Sequence, residues 1–188
     1  MGDLTIRRAE ESDARELLAI YAPYVTDTAI TFEYEVPSET EFAQRIHHTL
    51  QKHPFLAAVR DGQIEGYAYA SPFKEREAYD WSVETTVYLR QDCRGQGTGT
   101  QLYHALEDFL RRQHILNANA CIAYNAQPDA RLDHTSVLFH EHMGYRKTAH
   151  FTQCGYKFGT WYDMVWMEKM LGEHPDVPPA VIPASLLV

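Results

Sequence analysis

Residues 83–100 read Val83-Glu84-Thr85-Thr86-Val87-Tyr88-Leu89, Arg90-Gln91-Asp92-Cys93 and Arg94-Gly95-Gln96-Gly97-Thr98-Gly99-Thr100. The first seven are mostly β-branched or aromatic, which suits a pleated, half-buried strand. The glycines let the backbone turn tightly and approach a ligand closely. Beyond them Leu102, Leu106, Phe109 and Leu110 recur at helical spacing. A strand therefore feeds a glycine-rich turn that opens a helix. The first N–H groups of such a helix have no partner within it and sit at the positive end of its dipole. That arrangement binds phosphate or pyrophosphate. Arg94 adds a fixed cation able to fork two phosphate oxygens.

Spacing separates this turn from other phosphate-binding motifs. A P-loop closes on Lys and then Ser/Thr, whereas Thr100 and Gln101 follow Gly99. The dinucleotide fingerprint is G-x-G-x-x-G in an N-terminal βαβ unit. Here the spacing is G-x-G-x-G, deep in the chain and after hairpin-forming segments. Arg-x-x-Gly-x-Gly after a strand matches a third class, the pyrophosphate turn of acyl-CoA-dependent N-acetyltransferases. A plain glycine-rich connection is the alternative for the turn taken alone.

Working outward, Ile6 to Ala9 reads as a first strand. Asp13 with Glu16 has the form of a capping box, and Leu17, Ile20, Tyr21 and Tyr24 form a helical stripe that Pro23 is expected to end early. Ser38 with Glu41 starts a second helix carrying Phe42, Ile46 and Leu50. Between the helices, Thr28 to Pro37 is a loop holding Ile30, Phe32 and Tyr34. Phe55 to Val59 and Gln63 to Ala70 are strand-like around Asp61-Gly62, a strong hairpin signal. Trp81 to Leu89 is the next strand. After the glycine turn and its helix, Ala118 to Tyr124 reads as a strand and Ser136 to Met143 as a short helix with Gly144 at its C-cap. Two strands near Arg146–Phe151 and Tyr162–Lys169 follow. The order β-α-α-β-β-β-α-β-α-β-β is an α/β (α+β) layer fold with a mixed sheet.

The chain has 188 residues, 45% hydrophobic and 23% charged, which suits one globular domain. Residues 173–188 (EHPDVPPAVIPASLLV) hold four prolines and read as an extended tail with a frayed end beyond a 1–172 domain, its Leu186-Leu187-Val188 end offering the one docking element. Lys and Arg number 17 against 26 Asp and Glu, a formal charge of −9 that disfavours nucleic acid or an anionic membrane as partner. No apolar run reaches membrane-spanning length, and the N-terminus lacks a secretory pattern. Cys93, Cys121 and Cys154 contain no Cys-x-x-Cys, so a reducing cytoplasm is expected. His47-His48 and His140-Glu141-His142 lack His-Glu-x-x-His spacing, so no metal is expected. Cys93 is read as filling its turn.

Taken together, Ile6-Arg7-Arg8-Ala9, Ala78-Tyr79-Asp80-Trp81-Ser82-Val83-Glu84-Thr85-Thr86-Val87-Tyr88, Arg94 to Gly99, Phe139-His140-Glu141-His142-Met143-Gly144-Tyr145, Gly155-Tyr156-Lys157, Trp161 and Asp163 resemble the GNAT superfamily of N-acetyltransferases. More narrowly they resemble its phosphinothricin or methionine sulfoximine acetyltransferases. The resemblance spans about residues 4–170.

The resemblance implies a mostly antiparallel mixed sheet splayed between its fourth and fifth strands, with acetyl-CoA as acetyl donor and no metal. Its pantetheine would lie in the splay against the backbone of Val87, Tyr88 and Leu89. The pyrophosphate would sit over Arg94, Gly95, Gln96, Gly97, Thr98, Gly99 and Thr100, with Asn125 and Ser136 as further cofactor contacts. The connection from Asn125 to Ser136 is longer than usual, and Asp133, His134 and Thr135 stand where an asparagine is expected.

The implied reaction is attack of a neutral amine on a thioester, so an ammonium must first lose a proton. Glu84 is the candidate base; strand rise sets it about 10 Å from Val87, suited to a water relay. Strand N–H groups near Val87 or Tyr88 would meet the oxyanion. His140 or Tyr88 would protonate the thiolate, His140 reading equally as a helix-surface residue. Phe32, Arg76, Tyr79, Glu84, Thr85, Lys157 and Trp161 are the implied acceptor residues, although Lys74 and Arg76 alone read as a solvated loop.

The expected reaction acetylates the α-amine of a small acceptor of the phosphinothricin, methionine sulfoximine or methionine sulfone type. The alternatives are another amine (polyamine, antibiotic, peptide N-terminus) or a non-catalytic acyl-CoA-binding module. A homodimer is expected. Alternation along Trp161–Met167 would put Trp161, Asp163, Val165 and Met167 on one face and Tyr162, Met164 and Trp166 on the other, the second being covered by a neighbour or by the tail.

Overall fold

A computed structural model describes residues 2–187. Seven strands form one sheet in the order β1-β2-β3-β4-β5-β7-β6. They are β1 (Thr5–Arg8), β2 (Phe55–Arg60), β3 (Gln63–Pro72), β4 (Ser82–Leu89), β5 (Asn117–Tyr124), β6 (Arg146–Lys157) and β7 (Thr160–Met170). Helices α1 (Ala14–Asp27) and α2 (Glu39–Lys52) cover one face. Helix α3 (Thr98–Arg112) packs on the other, and α4 (Thr135–His142) lies beside β5.

All pairs are antiparallel except β4–β5. Parallel pairing there stops after Ser82–Asn117, Val83–Ala118 and Glu84–Asn119, although each strand continues for five more residues. The sheet therefore opens beyond Glu84. Period-two alternation divides β4 between two cores. Val83, Val87 and Leu89 pack with Leu102, Leu106 and Leu110 of α3, while Tyr88 packs with Tyr21, Tyr24 and Tyr67.

Local chemistry sets the start of α2, a hairpin turn and the end of α4. The Ser38 hydroxyl accepts from the Glu41 N–H at 3.1 Å and caps α2. Asp61 and Gly62 both adopt positive φ (49° and 79°), the backbone of a tight hairpin turn. Gly144 ends α4 at φ 88°. Two expectations for α1 are corrected. Asp13 does not cap through Glu16; its carboxylate receives two bonds of 2.7 Å from Arg7 and one of 2.8 Å from the Glu10 N–H. Pro23 does not end the helix, which runs on to Asp27 because Tyr24 and Val25 are buried in the next half-turn. Tertiary burial outweighs the lost backbone bond.

The C-terminal hairpin is longer than the periodicity suggests. Residues 155–161, between the two expected strands, are strand ends around a turn at Phe158 (φ 52°) and Gly159 (φ 75°). A bulge between Phe151 and Gly155, with Gln153 at φ 48°, shifts the register and hides the alternation.

The expected face assignment along β7 holds for Val165 and Met167, which enter the α3-side core. Tyr162 lies on the other face with Met164 and Trp166, also as expected, but it is 1% exposed, packed with Ala123, Leu132 and Phe32, while Trp161 at the strand's start is 57% exposed. Met164 and Trp166 are only partly exposed. Trp166 is covered by Phe73 at 5.3 Å and Lys74 at 5.7 Å, not by the tail.

The tail is extended but not frayed up to Leu187; Val188 lies outside the described residues. Trp81 Nε1 donates to Pro179 O at 2.7 Å. Gln113 and Ile182 exchange bonds of 2.7 and 3.1 Å. Ala184 is fully buried. Backbone groups of the tail that have no ladder thus find partners on Trp81, just before β4, and on Gln113, just past α3.

Candidate active site

Two cavities meet at the opening between β4 and β5, sharing Ile30, Val87 and Ser136 in their walls. The smaller, about 460 Å³, is walled by Leu89, Arg94, Gly95, Gly97, Gly99, Thr100 and Phe139. Gly95 and Gly97 adopt φ 75° and 83°, which L side chains rarely adopt, and their open faces meet no atom within 4 Å. The free N–H groups of α3 begin directly after this turn. Arg94 lies over the Tyr24 ring at 5.2 Å.

Thr98 faces inward, its hydroxyl donating to Glu65 at 2.9 Å. Arg60 donates to the same carboxylate at 2.7 Å. Burial pushes the Glu65 pKa up, but these two donors outweigh it and hold the group below the ordinary carboxylate value. This buried pair fixes the turn against β3. Gln96 is exposed and donates to Asp92 O at 3.2 Å.

Backbone direction along β4 sets what reaches the groove. Arg90 N donates to Glu65 O on β3 at 2.8 Å. Alternation then aims the N–H and C=O of Val87 and Leu89 toward β5, where no strand pairs with them. The Leu89 pair is met by Tyr24, whose hydroxyl donates to Leu89 O at 2.6 Å and accepts from Leu89 N at 3.2 Å. The sequence stripe placed Tyr24 only in the core. Its role as partner to a strand backbone needed the tertiary structure.

The larger cavity, about 590 Å³, contains Glu84, Phe32, Glu33, Arg45, Tyr69, Cys121 and His140 in its lining. Burial raises the Glu84 pKa, and Lys74 partly offsets this. Cys121 donates its thiol to Met164 Sδ at 2.8 Å, and burial with the Glu84 charge pushes it up to about 12, so it is no thiolate nucleophile.

Glu84 and Tyr88 project from the α1/α2 face of β4, whereas Thr85 projects from the other. Thr85 is buried, donating to Asn119 O at 3.1 Å and bonded to Tyr145 at 3.3 Å, so it supports the strand from behind. His140 is only 4% exposed, not a surface residue. Its Nδ1 meets Ser136 O at 2.7 Å and its Nε2 meets the Tyr103 hydroxyl at 2.8 Å. Desolvation pushes its pKa down to about 4. The ring is thus neutral near pH 7, with Nδ1–H donating and Nε2 accepting. Burial raises Tyr88 well above the tyrosine value among its aromatic neighbours. Neither group presents a loosely held proton.

Several expected site residues lie elsewhere. Asn125 lines neither cavity. Its side chain bonds Asp129 and the Gln127 N–H within its own loop. Arg76 and Tyr79 are exposed on the β3–β4 connection and line neither cavity. Trp161 packs at a tilt against Tyr156, ring centroids 5.0 Å apart, outside both.

Lys157 is 1% exposed, and its ammonium donates to the carbonyls of Thr28 (2.9 Å) and Thr31 (2.7 Å). Burial lowers its pKa, Glu33 opposing. It therefore ties the α1–α2 loop to the hairpin and is not free to meet an acceptor. The Tyr34 hydroxyl donates to Tyr156 O across the same junction. A Cβ on Gly155 would fall within the Phe32 ring, so this glycine lets Phe32 lie against the hairpin.

Over residues 6–166 the chain matches the family described as Acetyltransferase (GNAT) domain. It is 31% identical over 180 residues to the phosphinothricin N-acetyltransferase of Streptomyces viridochromogenes, covering 96% of this chain and 94% of that one. It is 29% identical over 174 residues to the L-methionine sulfoximine/L-methionine sulfone acetyltransferase of Salmonella typhimurium, covering 91% and 96%. The solved GNAT superfamily phosphinothricin acetyltransferase of Sinorhizobium meliloti, in complex with AcCoA, superposes with a TM-score of 0.86 at 32% identity over 97% of each chain. With its parallel strands parting above a glycine turn and a match across most of its length, this chain belongs to the GNAT acetyltransferase family.

Proposed function

We propose that this protein transfers the acetyl group of acetyl-CoA to the α-amine of a small amino-acid-like acceptor. The observation that carries the reading is Glu84, a carboxylate with raised pKa at the last β4–β5 pair, facing the larger cavity. The groove residues fit the cofactor: positive-φ glycines with open faces, the α3 N-terminus and Arg94 suit a pyrophosphate, and the unpaired Val87 backbone suits an amide-bearing arm. Ser136 at the junction and Thr100 on the turn complete the cradle. Acetyl-CoA supplies an activated thioester. Glu84 takes the proton of the acceptor ammonium, and a raised pKa makes it a better base for that proton than an ordinary carboxylate. The Val87 N–H, aimed into the opening, meets the charge that develops on the acyl oxygen. A thiol ordinarily titrates near ~8.5, so the thiolate leaves with little help. Neutral His140 therefore positions α4 through Tyr103 and is not the acid. Phe32 covers the apolar part of the acceptor.

Glu84→Gln tests this reading. Turnover should fall ~10²–10⁴-fold, while acetyl-CoA affinity by calorimetry is kept. The parent rate should climb with pH through a value above the ordinary carboxylate range, and the variant should lose that limb. An unchanged pH–rate profile would remove Glu84 from the mechanism.

We further infer a two-fold homodimer in a reducing cytoplasm. All three cysteines are free, and no helix among the described residues is long and apolar enough to cross a membrane. Strand β6 is a sheet edge, and Phe151, Tyr156, Phe158 and Trp161 are exposed on its hairpin at 48%, 47%, 39% and 57%. An edge and an aromatic patch of this kind favour an isologous contact.

A further inference from the structure

The glycine turn before α3 rests on a charged cluster that the reaction above does not use, and a bulge in β3 creates it. Ala58 pairs with Gly66 and Val59 with Ile64, which leaves Glu65 without a partner on β2. Counting back from Tyr67, strict alternation would put Glu65 in the α1/α2 core and turn Ile64 away from it. Ile64 instead enters that core with Tyr67, and the bulge turns Glu65 toward the start of α3. There its Oε2 accepts from the Thr98 hydroxyl at 2.9 Å and its Oε1 from Arg60 Nε at 2.7 Å. Glu65 and Thr98 are both buried, and none of the three residues lines either cavity.

Thr98 is the first residue of α3 and follows Gly97, which offers no side chain as a cap. Both Glu65 oxygens are taken by side-chain donors. The carboxylate thus holds the helix start without consuming its backbone N–H groups, which stay free for a ligand. Its charge is a separate matter. A carboxylate beside a helix N-terminus is favourable alone, but it repels a second anion brought to the same end. Arg60 cancels that charge, and its Nη1 is fixed in turn by Gly2 O at 2.9 Å. Arg90 and Cys93 also act on Glu65, and Asp61 acts on Arg60. Arg90 is committed to Asp92 at 2.6 Å. Burial, with Glu65 and Asp92 nearby, raises the Cys93 thiol and keeps it protonated.

We infer that Glu65, Thr98 and Arg60 are positioning residues for the pyrophosphate of the acetyl donor. Glu65 holds the start of α3 through Thr98, and Arg60 keeps the anion beneath the turn from repelling the anion the turn receives. This assignment rests on the acetyl-CoA reading and extends it to residues that touch neither the thioester nor the acceptor.

Calorimetry with acetyl-CoA between pH 5.5 and 8 tests it on the full chain, each variant being compared with the parent at the same pH. Arg60→Met leaves the Glu65 charge uncompensated. Binding at pH 8 should weaken about tenfold, the repulsion of unit charges about 10 Å apart at a protein surface. A buried carboxylate that loses its cation has its pKa raised, so the deficit should shrink toward pH 5.5 as Glu65 protonates. Adding Glu65→Gln to Arg60→Met removes the charge and should restore affinity at pH 8 to within about threefold of the parent. Thr98→Val should weaken binding several-fold, and Thr98→Ser should keep it.

Unchanged affinity in Arg60→Met, a deficit that Glu65→Gln does not repair, or one that stays constant with pH overturns the assignment and leaves the acetyl-CoA reading standing. A parent that binds no acetyl-CoA overturns that reading and the assignment with it. If Arg60→Met does not fold, the Thr98 variants decide: parent affinity in Thr98→Val overturns the assignment, and a loss that Thr98→Ser avoids upholds it.

Discussion

His53 and His140 lie in different parts of the chain but share one environment. Both are buried, and desolvation pushes each pKa down to about 4. Neither ring nitrogen of His53 has a partner, whereas both of His140 do. An unfolded imidazole titrates near 6.5, so on acidification the unfolded chain takes up these protons before the folded one. The contribution is fully present above about pH 6.5 and is lost as pH falls toward 4. At about 1.4 kcal/mol per pH unit, each histidine can remove about 3 kcal/mol. Thermal melting between pH 7.5 and 5.5 should show the onset of this loss, above the range where ordinary carboxylates protonate. His53→Phe should flatten part of the slope and leave activity intact. An equal slope in parent and variant would show that His53 is not held neutral by the fold. Glu84 has the opposite sign, since its raised pKa opposes folding once it ionises. At the scale of single residues the cavity thus holds Glu84 with a raised pKa for chemistry, while His140 and, outside the cavity, His53 are kept uncharged near pH 7.

Among the elements, the α1–α2 loop and the β6–β7 hairpin behave as one unit, joined by Lys157, by the Tyr34–Tyr156 bond and by Phe32 over Gly155. Gly155→Ala drives a methyl into the Phe32 ring and must displace it or bend the hairpin. Such overpacking costs about 1–3 kcal/mol. Because Phe32 also lines the acceptor cavity, the variant should raise the acceptor KM while the acetyl-CoA KM stays near the parent value, since the groove at Gly95 to Thr100 is remote from this junction. Steady-state kinetics with each substrate varied in turn separates the two. Equal changes in both would mean that the junction supports the whole sheet and not the acceptor wall.

For the whole molecule, the charge of −9 and the exposed aromatic hairpin make a specific prediction together. Charge keeps the chain from indiscriminate association, while a self-complementary apolar patch on an edge strand supports a closed pair. Light scattering at micromolar concentration should give twice 21.7 kDa. Trp161→Glu should shift the mass toward the single chain with its melting temperature largely kept, because Trp161 contributes little to the core. An active parent at 21.7 kDa would refute the dimer.

Local patterning made much of the architecture readable: strand, glycine turn and helix at 83–110, the Asp61-Gly62 hairpin, the Ser38 cap and the Gly144 stop all depend on interactions within a few residues. Glu84 and the glycine turn were visible for the same reason, as unusual residue types at marked positions in a strand and before a helix. Lys157, Asn125 and Arg76 were placed from resemblance, and the structure gives their side chains other surroundings because loop length and a strand bulge, invisible to periodicity, decide where those side chains point. Pro23 within α1, the ordered tail and the partnership of Tyr24 with Leu89 likewise depend on burial against segments distant in sequence. The Glu65–Thr98 bond unites a strand bulge and a helix start that only the packed sheet brings together. The sequence by itself determined the elements and the cofactor turn, whose physics is local. Tertiary structure alone decided which charges share the acceptor cavity and which are neutralised, because desolvation and charge pairing act through space between residues the chain keeps apart.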